Sequence, residues 1–287
     1  MSRIILFLLM FTFSMCQEVS ARSEDSASSV TMLCLNVGEA DCILLNVEQK
    51  YYLIDTGYKR TSDQLLAMLE QEGVERLSGV FLTHNHKDHY GGLNPLCASS
   101  IPIDAFYAPV YCADGTGAKH PAVIAAAKRG QTVVWLQAGD TIQISDTAFF
   151  DILAPVKLNK ENENNNSLVM RLESSDGSIM LAGDMKFEEE YELIRSDVLK
   201  ETNVLKVAFH GDNTSTSGSF LSIVKPRVAV ISTSSKEEKD TPSKDVLYRL
   251  ASVGCKTYVT QDAPYAVRTI LSEGRIEVTV EDWHADD

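Results

Sequence analysis

Residues 83–92 read THNHKDHYGG, so three of the chain's six histidines fall in one six-residue window with an aspartate among them. No other stretch restricts the fold as much. On a helix His84 and His86 would point to nearly opposite sides, and both could not reach one ion. A zinc-binding helix instead spaces its histidines four apart. The window must therefore be a loop, and Gly79-Val80-Phe81-Leu82 before it reads as the buried strand that delivers it. From such a loop His84 and His86 converge on one point, while Asp88 and His89 converge on a second nearby. Two foci suggest two divalent metals, and imidazole with carboxylate suits zinc, manganese or iron. A solvated loop is the better reading for a lone histidine, but three with an aspartate at this spacing argue against it.

The surrounding pattern supplies the strands. VTMLCLNV, CILLNV and KYYLID are short apolar and β-branched runs separated by Gly38-Glu39-Ala40 and Glu48-Gln49, as in an antiparallel meander. TSDQLLAMLEQE at 61–72 changes to helical spacing and stops at Gly73. A helix around HPAVIAAAKRG and strands near TVVWLQ and TAFFDIL follow. SLVMRLES and SIMLAGD form a hairpin expected to turn at Asp176-Gly177. Helix EEEYELI, strand VLKVAF, helix SGSFLSIV, strand RVAVIS, helix SKDVLYRLAS and strand KTYVT then alternate. Strands first and strand–helix alternation afterwards, in two comparable halves, predict an α/β fold of two packed sheets with helices outside.

The N-terminus stands apart. MSRIILFLLMFTFSMCQEVSA has a basic start, an apolar run from Ile4 to Phe13 and small residues at Val19-Ser20-Ala21. This is the pattern of a secretory signal peptide over 1–21, followed by a polar linker at 22–29 and one large domain at 30–287. The expected location is periplasmic or secreted; Phe13-Ser14-Met15 before Cys16 fits a lipoprotein anchor poorly. No later apolar run approaches the ~20 residues of a membrane span. The five cysteines after Ala21 lack CxxC spacing and read mostly as buried small hydrophobes. The net charge is −14, and no Lys/Arg cluster stands out along the chain. That argues against a grip on long nucleic acid, although bound cations would dominate the field at a phosphate site. No obligate protein partner is evident.

Thr-His-x-His-x-Asp-His-x-Gly-Gly resembles the metal-binding motif of the metallo-β-lactamase superfamily. The wider chain is similar to one branch of it, the metallohydrolase domain of the ComEC competence protein and its free-standing relatives. LNVGEADCILL, LIDTG, NNNSLVMRL, LAGD and LKVAFHGDNTSTS carry that resemblance in order, from about Val30 to about Tyr265. It implies an αββα sandwich of two mixed sheets flanked by helices. It also implies that His84 and His86 hold the first metal and Asp88, His89 and His210 the second, with Asp184 bridging both. Zinc or manganese is the implied pair of divalent ions.

The chain departs from the branch in four places. Asn164-Asn165-Asn166-Ser167 stands where the superfamily usually has a further histidine, so the first site should be looser or favour a harder ion. Phe209 replaces the first histidine of a His-His-Gly, Asp212 stands where Ser is frequent, and Thr241-Pro242 replaces a His-Pro. Asp55-Thr56-Gly57 also marks aspartic proteases, but those need two carboxylates sharing a proton, and the chain has a single DTG. Asp55 is read as a residue that orients a ligand histidine. Tyr90, Asn166 and Ser167 are candidate substrate contacts by position.

The reaction class so implied is metal-assisted hydrolysis, in which a bridging water acidified towards neutrality attacks phosphorus or a carbonyl. Asp88 would help orient that hydroxide. An exported phosphodiesterase or nuclease-like enzyme is expected, acting on a small phosphodiester or nucleic acid. The alternatives are hydrolysis of a lactam, lactone or thioester on the same centre, or a degenerate metal-binding protein without turnover.

Overall fold

The computed structural model describes residues 29–112 and 117–283; the signal peptide, Cys16 and all of the linker but residue 29 lie outside them. The chain opens with the antiparallel strands β1 (Val30–Leu35), β2 (Ile43–Val47) and β3 (Lys50–Ile54), then turns parallel through β4 (Gly79–Phe81), β5 (Phe106–Pro109) and β6 (Val133–Leu136). The second sheet contains β7 (Thr141–Gln143), β8 (Phe149–Ala154), β9 (Val169–Ser174) and β10 (Gly177–Leu181), all antiparallel. It continues in parallel through β11 (Val204–Lys206), β12 (Val228–Ile231) and β13 (Lys256–Val259). β14 (Ala266–Ser272) and β15 (Arg275–Glu281) return to the first sheet and pair antiparallel beside β1. The sheet orders are β15-β14-β1-β2-β3-β4-β5-β6 and β13-β12-β11-β10-β9-β8-β7.

Strand alternation builds three cores. Met32 and Cys34 of β1 point between the sheets, where they meet Ile152, Met170, Ile179 and Val204 of the other sheet. Leu33 and Leu35 point the opposite way. There they are covered by α1 (Ser62–Gln71), α3 (Leu93–Ala98) and α4 (Pro121–Lys128), while α2 (Lys87–Tyr90) lies at the strand ends. The outer face of the second sheet is covered by α5 (Phe187–Arg195), α6 (Gly218–Val224) and α7 (Lys244–Ser252). Helix, sheet, sheet and helix make the αββα sandwich expected from the sequence. Burial on both faces explains why the central strands read as continuous apolar runs.

Between the sheets Phe81 stacks on Tyr107 with centroids 4.4 Å apart and leans on Phe150 at 5.2 Å. Phe81 ends β4 three residues before His84, so the histidine loop starts from a rigid aromatic floor.

Three sequence expectations need correction. The histidine window is a loop only as far as His86, and Asp88 and His89 stand on the short helix α2. The β9–β10 hairpin turns at Ser175-Asp176, because Gly177 already pairs with Ser174. Gly177 has φ +140°, a conformation L side chains rarely adopt, so it serves as the first strand residue and not as a turn centre. The β14–β15 hairpin, with β5, β7 and α3, was not anticipated. IEVTVE in β15 alternates cleanly, and that periodicity was the signal to follow.

Candidate metal centre

Four strand ends deliver the site. β3 ends at Asp55, β4 at the histidine loop, β10 at Ala182-Gly183-Asp184, and β11 runs on to His210. These are carboxyl ends of strands from both sheets, the edge at which α/β sheets place ligands. Asp88, His89, Asp184 and His210 bring one ligand atom each within 4.8 Å of one another, and His84, His86 and Asp184 form a second such group. Asp184 belongs to both.

The second group is the more complete. His89 Nε2 is 3.2 Å from Asp184 Oδ2 and 3.3 Å from Asp88 Oδ2. His210 Nε2 is 3.5 Å and 3.3 Å from the same two oxygens. In the first group His84 Nε2 is 3.6 Å from Asp184 Oδ2 and 2.9 Å from His86 Nδ1. His84, His89, Asp184 and His210 are buried, while His86 and Asp88 are half-buried and mark the open side.

The far ring nitrogens set the tautomers. His210 Nδ1 lies 2.9 Å from the Ser232 carbonyl, which can only accept, so Nδ1 carries the proton and Nε2 offers a lone pair. His89 Nδ1 lies 2.7 Å from Asp55 Oδ2, with the same consequence. Asp55 is itself held by Thr83, whose backbone N–H and hydroxyl donate to its two oxygens at 2.8 and 2.7 Å. The Thr83 hydroxyl also lies 3.1 Å from His84 Nδ1. One aspartate and one threonine thus orient two of the histidines, the support that metal-binding imidazoles normally have.

The chemistry of this nest fits divalent cations. His89 Nε2, His210 Nε2 and Asp184 Oδ1 are buried with no hydrogen-bond partner, a costly state for polar atoms unless an ion takes them up. Burial pushes the carboxyls of Asp184 and Asp88 up, but the surrounding histidines outweigh it and hold both below the usual carboxylate range. Burial likewise opposes charge on His210, yet Asp184, Asp88 and Asp41 raise its pKa to about 10. His89 is raised in the same way, whereas burial and the neighbouring His89 push His84 well down. The carboxylates therefore create a strongly cation-seeking cavity on the His89–His210 side.

Part of the backbone strain lies here. Asp55, Phe209 and His210 all have positive φ, at 58°, 46° and 52°. Such conformations cost of order 1–3 kcal/mol each and persist where packing over-determines them. The two glycines of the histidine motif have a different reason. A Cβ on Gly91 would collide with the backbone of Tyr58, Lys59 and Lys87, and one on Gly92 with the Thr56 carbonyl. They let α2 lie directly against the segment after β3.

The substrate-contact candidates separate. The Ser167 hydroxyl accepts the Asp184 backbone N–H at 3.1 Å, so it shapes the turn that carries Asp184. Asn166 does not join the cluster: it is fully buried, and its amide is taken up by Asn159 and Glu163. Asn165 is likewise engaged, by the Lys186 N–H and by Glu188. Tyr90 is half-buried on α2 and packs against the core beneath α1 and α3. The first group thus has three ligand residues against four in the second.

Sequence reasoning missed Asp41 and Lys206. The Lys206 ammonium is wholly buried and lies 2.8 Å from Asp41, whose Oδ1 is 3.9 Å from His210 Nδ1. Asp41, Asp55 and His89 also lie close together, but Lys206 and Thr83 already compensate the two carboxylates. A lysine inside the apolar run VLKVAF was the overlooked signal, because a buried cation requires a buried anion.

The fold resembles solved structures at low sequence identity. The metallo-β-lactamase fold protein YhfI from Bacillus subtilis matches with TM-score 0.54 and 11% identity, over 87% of this chain and 100% of that one. Tm1679, a metal-dependent hydrolase of the β-lactamase superfamily, matches with TM-score 0.52 and 12% identity over 88% and 100%. By sequence the chain is 28% identical over 186 residues to ComE operon protein 3 of Bacillus subtilis, covering 65% of this chain and 24% of that protein. It is 27% identical over 246 residues to competence protein ComA of Neisseria gonorrhoeae, covering 84% and 32%. The chain thus spans a quarter to a third of the length of these curated relatives. The metallo-β-lactamase superfamily model matches residues 35–235, a span that includes every residue of both ligand groups. On that match, with this fold and this histidine–aspartate nest, the chain belongs to the metallo-β-lactamase superfamily, as a metal-dependent hydrolase of the ComEC-like type.

Proposed function

We propose that the protein is a phosphodiesterase, nuclease-like in its chemistry, that works with two divalent cations of the zinc or manganese kind. The observation that carries this reading is the sharing of Asp184 between a four-residue and a three-residue ligand group. Asp88, His89, Asp184 and His210 would hold one ion and His84, His86 and Asp184 the other. Cations bound there supply Lewis acidity and a water acidified towards neutrality. The protein's own part is positional. Asp55 and the Ser232 carbonyl keep the His89 and His210 lone pairs turned inward, and Ser167 fixes the Asp184 turn. Asp88 is the carboxylate on the open side, so it is placed to orient an attacking water by hydrogen bonding. The similarity to competence proteins favours a phosphodiester over a lactam or thioester. The basic start and apolar run of residues 1–21 further support export to the periplasm or medium.

The test combines metal analysis of purified protein with turnover of a bis-aryl phosphodiester, single-stranded DNA and a chromogenic lactam. Two equivalents of metal and chelator-sensitive cleavage of the diester are expected. Cleavage of the lactam alone, or no turnover with either manganese or zinc, overturns the proposal. N-terminal sequencing of the mature protein, expected to begin at Arg22, tests export.

A further inference from the structure

The sequence shows no basic cluster, but folding makes one beside the metal nest. A cleft of about 430 Å³ lies against α2, with Lys59, Arg60 and Lys87 around it and the rings of Tyr58 and Tyr90 as its walls. Its floor is Gly91, where the backbone approaches that of Tyr58 and Lys59. Lys128 reaches the rim, donating to Asn94 at 2.7 Å. Arg60 is stacked 3.7 Å from the Tyr58 ring centroid and paired with Glu237 at 2.6 Å. Lys59 and Lys87 are exposed and form no ion pair among the described residues. In a chain of net charge −14, no carboxylate lines this cleft.

The cleft adjoins the centre through α2. Lys87 and Tyr90 stand on the same four-residue helix as Asp88 and His89. The Tyr58 hydroxyl, whose pKa is raised by burial, also feels the Asp88 charge. A substrate with one phosphate at the centre would therefore present its next anionic group here.

We propose that this cleft binds the nucleotide flanking the scissile bond of a single-stranded oligonucleotide. Lys59 and Lys87 take its phosphate, and the Tyr58–Tyr90 walls take its base. The inference rests on the phosphodiesterase reading and narrows it to polyanionic chains. Exposed lysines suit phosphate because their charge is uncompensated, and tyrosine rings stack any base without regard to sequence. The cleft's volume lies within the range of small-ligand pockets, so it suits one unstacked base and not a duplex.

Fluorescence anisotropy of the full chain with labelled hexathymidylate, read across a salt series, tests this without requiring turnover. The double substitution Lys59→Glu with Lys87→Glu should weaken binding at least tenfold. It should also flatten the slope of log affinity against log salt by about 1.4, since each phosphate neutralised on a single strand accounts for ~0.7 of that slope. Lys200→Glu, the same Lys→Glu exchange at one exposed residue outside this cleft, should shift affinity less than twofold. Tyr58→Ala should weaken binding about tenfold. The proposal is overturned if the double variant behaves like Lys200→Glu, or if the parent chain does not bind the oligomer at low salt. Cleavage of the small diester by a protein whose oligomer binding is indifferent to both lysines would defeat this inference alone. Lysine-dependent binding with no diester cleavage would defeat the phosphodiesterase reading alone.

Discussion

Lys206 Nζ lies 2.8 Å from each carboxylate oxygen of Asp41, and both side chains are almost fully buried. The pair joins the loop after β1 in one sheet to the end of β11 in the other, directly beneath the ligand cluster. The Asp41 backbone extends the brace, accepting from the Gly57 N–H at 2.7 Å and donating to the Asp88 carbonyl at 3.3 Å. Burial opposes the charge on Lys206, but Asp41 outweighs it and raises the lysine's pKa.

Lys206→Met should therefore destabilise the fold by about 3–5 kcal/mol, because it strands a buried carboxylate. Adding Asp41→Asn should recover a large part of that loss. Urea denaturation of the single and double variants measures both effects; two single variants within about 1 kcal/mol of the parent would contradict the bracing role.

Metal content should divide along the two ligand groups. His86→Ala should lose one equivalent of metal and keep the other. Asp184→Ala should lose both, since its carboxylate belongs to both groups. Mass-spectrometric metal analysis after dialysis decides this, and retention of both ions by Asp184→Ala would refute the bridge.

Asp55 is fully buried and holds the His89 ring at Nδ1. Asp55→Asn keeps the shape but weakens the acceptor for the His89 N–H, so metal affinity should fall about 10–100-fold while circular dichroism stays unchanged. Competition with a fluorescent chelator reads the affinity; an unaltered value would assign Asp55 a purely structural part.

Gly91→Ala and Gly92→Ala should each destabilise the protein by about 1–3 kcal/mol, as overpacking does, because backbone atoms cannot step aside. Gly73→Ala is a useful contrast. Nothing lies within 4 Å of a Cβ there, but φ is +64°, so its cost comes from backbone conformation alone. Thermal melts compare them, and only the first two should also loosen metal binding by shifting α2.

Glu189 predicts a pH effect away from the metal centre. Burial, aided by the Glu192 charge, raises its pKa from 4.5 to about 7, against the pull of the Val156 N–H and of Lys157. A raised folded-state pKa contributes stability that is complete below pH 4.5 and is lost as pH rises through about 7. Glu189→Gln should remove this dependence, and the difference between the two proteins should change by on the order of 3 kcal/mol at most across that window. Denaturation of chelator-treated protein at several pH values measures it; parallel curves would rule it out.

Local spacing carried much of the function in this chain. The interval between His84 and His86 excludes a helix across that pair and requires a loop there, whereas Asp88 and His89 follow on the short helix α2. The apolar runs around that loop announced an α/β sandwich, because strands buried on both faces have no polar alternation to conceal them. The hairpin of β14 and β15 is equally open to reading in the alternation of IEVTVE.

Other features depend on segments remote in sequence. Asp41 and Lys206 are 165 residues apart, and only the packing of the two sheets makes them a pair. Asn166 stands in a tract aligned with a metal ligand, yet its amide is turned into its own loop by Asn159 and Glu163. Lys59 and Lys87 lie on separate segments, and their shared cleft exists because Gly91 lets two backbones touch. Chain geometry over a few residues is dictated by covalent stereochemistry, so a short motif encodes its own shape. Charge complementarity between distant segments is set by the packing of whole layers, and no local pattern encodes it.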